Sequence, residues 1–247
     1  MNLTRFLVCM TAAAALAGCN NKQDNAASNA PINLTPVAPP AGGDWTQTVV
    51  ATPEGGMLMG NPNAKVKLVE YGSLTCPHCR EFDETGSEPL INTYVKSGQV
   101  SYEFRNYVRD AFDLAATLIA RCNGPKGFFP LARSLYKDQM NWVGKVQAVP
   151  REQLEGLTNL PTGQIPPTAA KFAGLQQWAV ARGIPEAKSG QCLSNETDIN
   201  RLVQQTSDVT NQFPDFPGTP TFIINGKMAE KTATWKDLEP KLREALR

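Results

Sequence analysis

The stretch Val66-Lys67-Leu68-Val69-Glu70-Tyr71, followed after four residues by Cys76-Pro77-His78-Cys79, decides how the chain is read. Its first half alternates and is rich in β-branched residues, which predicts a strand over 65–71. Residues 78–85 have helical character, so the two thiols fall at a strand-to-helix junction. There the first thiol meets unsatisfied backbone N–H groups and the positive end of the helix dipole. Such a place stabilises a thiolate, so Cys76 is expected to have a lowered pKa and to be nucleophilic near neutral pH.

Three chemistries use two cysteines at this spacing. A zinc site needs four ligands, normally with a second close Cys or His pair. Here the other cysteines stand singly and the one histidine of the chain, His78, lies inside the motif, which argues against a metal. An inert disulfide closing a two-residue loop would constrain little of the chain. Thiol–disulfide exchange is the reading that fits an isolated Cys-x-x-Cys after a strand. Cys76 exchanges with substrate and Cys79, one turn on, resolves the mixed disulfide. Pro77 takes the first helical position, where its missing N–H costs nothing. His78 is expected to add a donor or a positive charge near the thiolate.

The N-terminus reads as a targeting segment. Arg5 precedes an apolar, alanine-rich run from Phe6 to Ala17, too short to span a bilayer, and the run ends Leu16-Ala17-Gly18-Cys19. Those four residues resemble the lipobox of bacterial lipoproteins, which makes residues 1–18 a signal peptide and Cys19 the acylated new N-terminus. Asn20, in place of an aspartate, points to the outer membrane; ordinary signal cleavage would instead leave a soluble periplasmic protein. Without residues 1–18 the basic and acidic residues balance at 23 each, which gives no sign of a nucleic-acid partner. Export also sets the redox context, since thiols outside the cytosol tend to form disulfides. Beyond Cys9, Cys19 and the motif, Cys122 and Cys192 remain, either as a structural disulfide or as two buried free thiols.

Residues 19–52 are expected to form a Pro-, Asn- and Ala-rich tether, with order beginning near Trp45 to Val50. The folded domain is expected over 53–247. Gly86-Ser87-Glu88-Pro89 is read as a helix break, Leu90–Lys96 as a second helical piece, and Val100–Phe104 as a second strand. This β-α-β order builds a parallel pair with a right-handed crossover. From about 108 to 213 no strand pattern occurs; helical stretches are expected at Ala111–Cys122, Phe128–Met140, Pro150–Leu157, Thr168–Arg182 and Glu196–Phe213. A helical subdomain inserted into an α/β domain follows. Thr221–Ile224, the turn Asn225-Gly226 and Met228–Lys231 read as a hairpin, and Thr234 as the cap of a last helix.

With Glu70, Cys76-Pro77-His78-Cys79 and the distant Gly218-Thr219-Pro220-Thr221-Phe222 in place, residues 57–247 resemble the DsbA-like branch of the thioredoxin-fold thiol oxidoreductases. The resemblance implies a thioredoxin-like fold with the helical insertion. It also implies that Glu70 assists proton transfer at the buried Cys79, where a solvent-facing strand residue is the plainer reading. Pro220 matches the family's cis-proline, and Thr219 its variable neighbour, the pair that offers backbone groups to an extended substrate. Thr219 departs from the aliphatic residue of DsbA and occurs also in disulfide isomerases. Phe213 and Phe216 are either an apolar surface for unfolded substrates or core. The function expected is a periplasm-facing oxidase that donates its disulfide to newly exported proteins. It needs no metal or organic cofactor and is reset by a membrane redox partner, for which the resemblance implies a quinone-linked oxidase. The alternatives are a disulfide isomerase or reductase, and a chaperone-like peptide-binding protein with incidental thiols.

Overall fold

The computed structural model describes residues 34–247; the predicted signal peptide, Cys19 and the tether up to residue 33 lie outside the described residues. At its centre are six strands: β1 (Val49–Ala51), β2 (Met57–Met59), β3 (Val66–Gly72), β4 (Val100–Asn106), β5 (Thr221–Ile224) and β6 (Lys227–Met228). Their order is β1-β2-β4-β3-β5-β6. Only β3 and β4 run parallel, as the β-α-β reading requires. The period of two along β3 puts Val66, Leu68 and Glu70 on one buried face while Lys67 is exposed. Glu70 is therefore carried into the core by the same alternation that makes the strand.

Helix α1 (Pro77–Pro89) begins at the dithiol and leads into a π-helical stretch, Leu90–Val95. The break expected at Gly86 is corrected. A Cβ on Gly86 would lie 2.8 Å from the Phe82 ring and 3.0 Å from Cβ of Trp235, the first residue of α10 (Trp235–Ala245). Glycine is there to let two helices approach, and the helix continues through it. Pro89 removes one amide from the ladder, and bonds resume with wider spacing, as in Lys96 N to Ile91 O at 2.9 Å.

Between β4 and β5 come α2 (Ala111–Arg121), α3 (Gly124–Lys137), α4 (Gln139–Gln147), α5 (Arg151–Gly156), α6 (Ile165–Ala173), α7 (Leu175–Val180), α8 (Glu186–Leu193) and α9 (Glu196–Gln212). The single helix expected over Thr168–Arg182 is two, because Gly174 adopts φ +67° between α6 and α7. Helix α8 had no counterpart in the sequence reading. Helix α9 returns to the sheet, packing Val209 against Tyr71 and Ile223. Cys192, on α8, and Cys122, at the end of α2, form a disulfide with Cα atoms 5.7 Å apart. Closing 70 residues of chain contributes about 4 kcal/mol in the chain-entropy account.

A free tether through residue 52 is also corrected. Trp45 is buried and its Nε1 donates to the Val37 carbonyl at 2.8 Å; the Val37 amide donates to Ser97 O at 2.8 Å. Strand β1 pairs with β2. One buried indole and these backbone bonds offset the entropy of ordering a short, proline-containing segment.

Gly86→Ala should lower the denaturation midpoint, although alanine is the better helix former by about 1 kcal/mol. Overpacking against Phe82 and Trp235 is expected to cost about 1–3 kcal/mol. An unchanged or higher midpoint in urea would mean that α10 does not lie this close to α1.

Candidate active site

Strand β3 ends at Gly72, a short turn follows, and Cys76 caps α1 with φ −80° and ψ 123°. Pro77 holds the first helical position, as expected. Cys76 and Cys79 are both free thiols, 3% and 0% exposed. The first is thus more enclosed than the sequence implied, because the Thr219 carbonyl lies 3.1 Å from its sulfur. The Thr219–Pro220 peptide is cis. The structure therefore brings together Cys76, Cys79, Thr219 and Pro220 from opposite ends of the domain.

The two thiols are driven apart electrostatically. The Cys76 pKa falls to about 5, chiefly through the hydrogen bond from the Cys79 thiol. Burial opposes this, while the Thr219 side chain and the backbone amides of Cys79 and His78 reinforce it. The Thr219 carbonyl accepts from the protonated thiol, so this residue serves both forms. Cys79 is pushed well above its ordinary value, first by burial, then by Cys76 and by the charge of Glu70. His78 has a part different from the one expected. Its imidazole is 71% exposed and faces Glu81 at 3.6 Å, so its contribution at the thiolate is its backbone N–H.

Glu70 is 1% exposed, and its carboxylate accepts from the Tyr102 hydroxyl at 2.6 Å. Burial raises its pKa to about 8, with Asp83 and Cys76 adding repulsion. A carboxyl poised near neutral pH and coupled to Cys79 can hold or deliver a proton there. Tyr102 escaped the sequence reading, although its register opposite Leu68 puts it on the strand next to Glu70. Burial likewise raises the pKa of Asp83, which accepts from Ser87 Oγ at 2.9 Å and faces Arg133 Nε at 3.6 Å.

Phe213 and Phe216 are half-buried, packed against the sheet. Tyr71 meets them edge-on at 6.2 and 5.9 Å, and Tyr107 stacks on Phe216 at 4.9 Å. These contacts fasten the loop before Thr219 to the sheet. Among the described residues no cluster of three or more His, Cys, Asp or Glu side chains is placed to hold a metal ion. None of the described helices is long and apolar enough to cross a membrane.

A family model described as Thioredoxin matches residues 52–243. A putative protein-disulfide oxidoreductase of Rickettsia bellii is 30% identical over 178 residues, covering 72% of this chain and 60% of its own length. Its Rickettsia felis counterpart is also 30% identical, over 69% of this chain and 53% of its own length. The chain thus spans little more than half the length of these relatives. Among solved structures, a protein-disulfide isomerase from Novosphingobium aromaticivorans superposes with a TM-score of 0.73 at 33% identity, over 77% of this chain and 96% of that one. Alpha-DsbA1 of Wolbachia pipientis superposes with a TM-score of 0.61 at 19% identity, over 80% and 94%, a likeness of fold. The chain belongs to the thioredoxin family, and its fold is that of the DsbA-like structures of that family.

Proposed function

We propose that the protein oxidises pairs of thiols in exported proteins through its Cys76–Cys79 disulfide. The observation that carries this reading is the asymmetry of the dithiol, with Cys76 held low and Cys79 held high. A substrate thiolate attacks the Cys76 sulfur; the Cys76–Cys79 bond breaks and a mixed disulfide forms. Cys79 leaves with the electron pair and takes a proton, for which Glu70 is the nearby buried donor. The second substrate thiolate then attacks its own half of the mixed disulfide and expels Cys76 as a thiolate. Two electrons have passed from substrate to dithiol. The low pKa of Cys76 makes it the better leaving group and stabilises the reduced form, so the disulfide is strongly oxidising.

The dithiol carries the electrons, so the reaction calls for no metal or organic cofactor. Turnover requires an oxidant, for which a quinone-linked membrane oxidase is the partner implied by the family resemblance. Acylation at Cys19, with the segment behind it as a tether, would hold the domain at a periplasm-facing membrane surface. Thr219 and Pro220 would present backbone groups to an extended substrate. A second reading, isomerase or reductase, is favoured by Thr219 and by the 33% identical structure named a protein-disulfide isomerase. The peptide-binding alternative is less favoured, because Phe213 and Phe216 are half-buried against Tyr71 and Tyr107.

Equilibration with glutathione should give a reduction potential near that of DsbA, about −120 mV, and not near thioredoxin's, about −270 mV. The potential should fall by about 30 mV per pH unit above pH 5, where the reduced form keeps only the Cys79 proton, and about twice as steeply below it. Because the folded Cys76 pKa lies below the ordinary thiol value of 9.0, the thiolate's stabilisation of the reduced fold is complete above pH 9. It is lost as pH falls through about 5. A thioredoxin-like potential would discard the oxidase reading in favour of a reductase.

Glu70→Gln should prolong the mixed disulfide with glutathione several-fold at neutral pH, as read by acid quenching and mass spectrometry. It should also change stability with a definite sign. The folded Glu70 keeps its proton up to about pH 8 while the unfolded chain releases it near 4.5, so the wild type loses stability over that interval. The variant should gain on it steadily from pH 5 to 8. An equal mixed-disulfide lifetime in both proteins would remove Glu70 from the proton path.

A further inference from the structure

The turn between β3 and α1 has no repetitive structure, yet its polar groups are tied to buried side chains from three successive helices. Asp113 of α2, fully buried, accepts from Ser73 Oγ at 2.6 Å, from the Leu74 amide at 2.9 Å and from the Arg109 amide at 3.0 Å. Tyr136 of α3 donates its hydroxyl to the Ser73 carbonyl at 3.2 Å. Gln139, the first residue of α4 and 3% exposed, donates Nε2 to the Leu74 carbonyl at 2.8 Å and to the Cys76 carbonyl at 3.0 Å. Facing two carbonyl oxygens, only the amide nitrogen fits, so chemistry dictates the orientation of this side chain.

A strand-to-helix turn does not need such support in order to close. It closes here with its own bond, Cys76 N to Ser73 O at 3.2 Å, and water would satisfy the remaining groups of a surface turn. Burying three polar side chains instead carries a desolvation cost; their common target is the Ser73–Cys76 turn, and Gln139 reaches the peptide plane of Cys76 itself. That plane matters because Cys76 is the capping residue, whose carbonyl also accepts from Arg80 N at 3.2 Å. Turning it swings the sulfur away from the amides at the start of the helix. The Ser73 amide in turn lies against the Cys79 sulfur, so the same turn touches both thiols.

We propose that Gln139 is a positioning residue for the dithiol: with Asp113 and Tyr136 it holds the Ser73–Cys76 turn in the orientation that aims the Cys76 sulfur at the amides of His78 and Cys79. Gln139 is itself anchored from deeper in the insertion. The preceding Asp138 accepts from Trp178 Nε1 at 2.9 Å and from Arg182, and Trp142 of the same helix is buried, donating to Leu135 O at 3.0 Å. The helical insertion is thus a working part of the redox site as well as its cover. This inference rests on Cys76 being the exchanging thiol.

The test is Gln139→Met, which keeps much of the side-chain volume and loses both donors, alongside Tyr136→Phe, which loses one hydroxyl. For Gln139→Met, the thiolate absorbance titration of Cys76 should move up by about one pH unit. The equilibrium with glutathione should shift about tenfold toward oxidised protein, or about 30 mV toward thioredoxin. Tyr136→Phe should shift both in the same direction by a smaller amount. If thermal midpoints fall while titration and equilibrium coincide with the wild type, these residues only stabilise the fold and the proposal is wrong. Should Gln139→Met fail to fold, Tyr136→Phe decides by the same two readouts. A wild type whose thiol does not titrate near 5 removes the assignment of Cys76 and this inference with it; a wild type that does, with unmoved variants, removes this inference alone.

Discussion

A sulfur anion at 3% exposure is tolerable only where donors converge on it, and the rest of the site follows from that requirement. The donors are the Cys79 thiol, the Thr219 side chain and two amides at the start of α1. Each comes from a different structural commitment. The amides exist because a helix begins at Cys76, the thiol because Cys79 lies one turn into it, and Thr219 because the loop before β5 is fastened over the site. Asymmetry between the two sulfurs is the outcome, and asymmetry gives exchange its direction at each step.

The sheet sets the depth at which this happens. Glu70 lies on the core face of β3, between Leu68 and the turn, and its register opposite Phe222 and Phe104 surrounds it with apolar side chains. Tyr102 gives it a single strong donor. A carboxyl so placed cannot remain an ordinary acid, and its burial is what raises its pKa to about 8. On the sheet's second apolar cluster, Tyr71 and Tyr107 seize Phe213 and Phe216. Neighbouring residues of one strand, Glu70 and Tyr71, thus serve opposite ends of the site.

Much of this was legible in advance. The period of two over 66–71, the proline after Cys76 and the Asn225-Gly226 turn each report a local preference that survives folding, with Asn225 and Gly226 both at positive φ. The breaks were less legible. Gly86 and Gly174 look alike in sequence, but one admits a neighbouring helix at contact distance and the other ends a helix in the left-handed region. Val37 sits in a segment whose composition predicts disorder, and only its bonds to the buried Trp45 and to Ser97 reverse that. Asp113, Tyr136 and Gln139 carry no motif at all.

The sequence by itself determined the dithiol, its place at a strand-to-helix junction, and the α/β class with a helical insertion. These depend on short-range geometry, where spacing and side-chain type suffice. Tertiary structure alone decided that Thr219 reaches the Cys76 sulfur, that Glu70 faces the core and is desolvated there, and what holds the turn between them. Those properties depend on groups 32 to 143 residues distant in the chain, and no local pattern encodes a contact whose partners meet only after the sheet and the insertion have closed around the site.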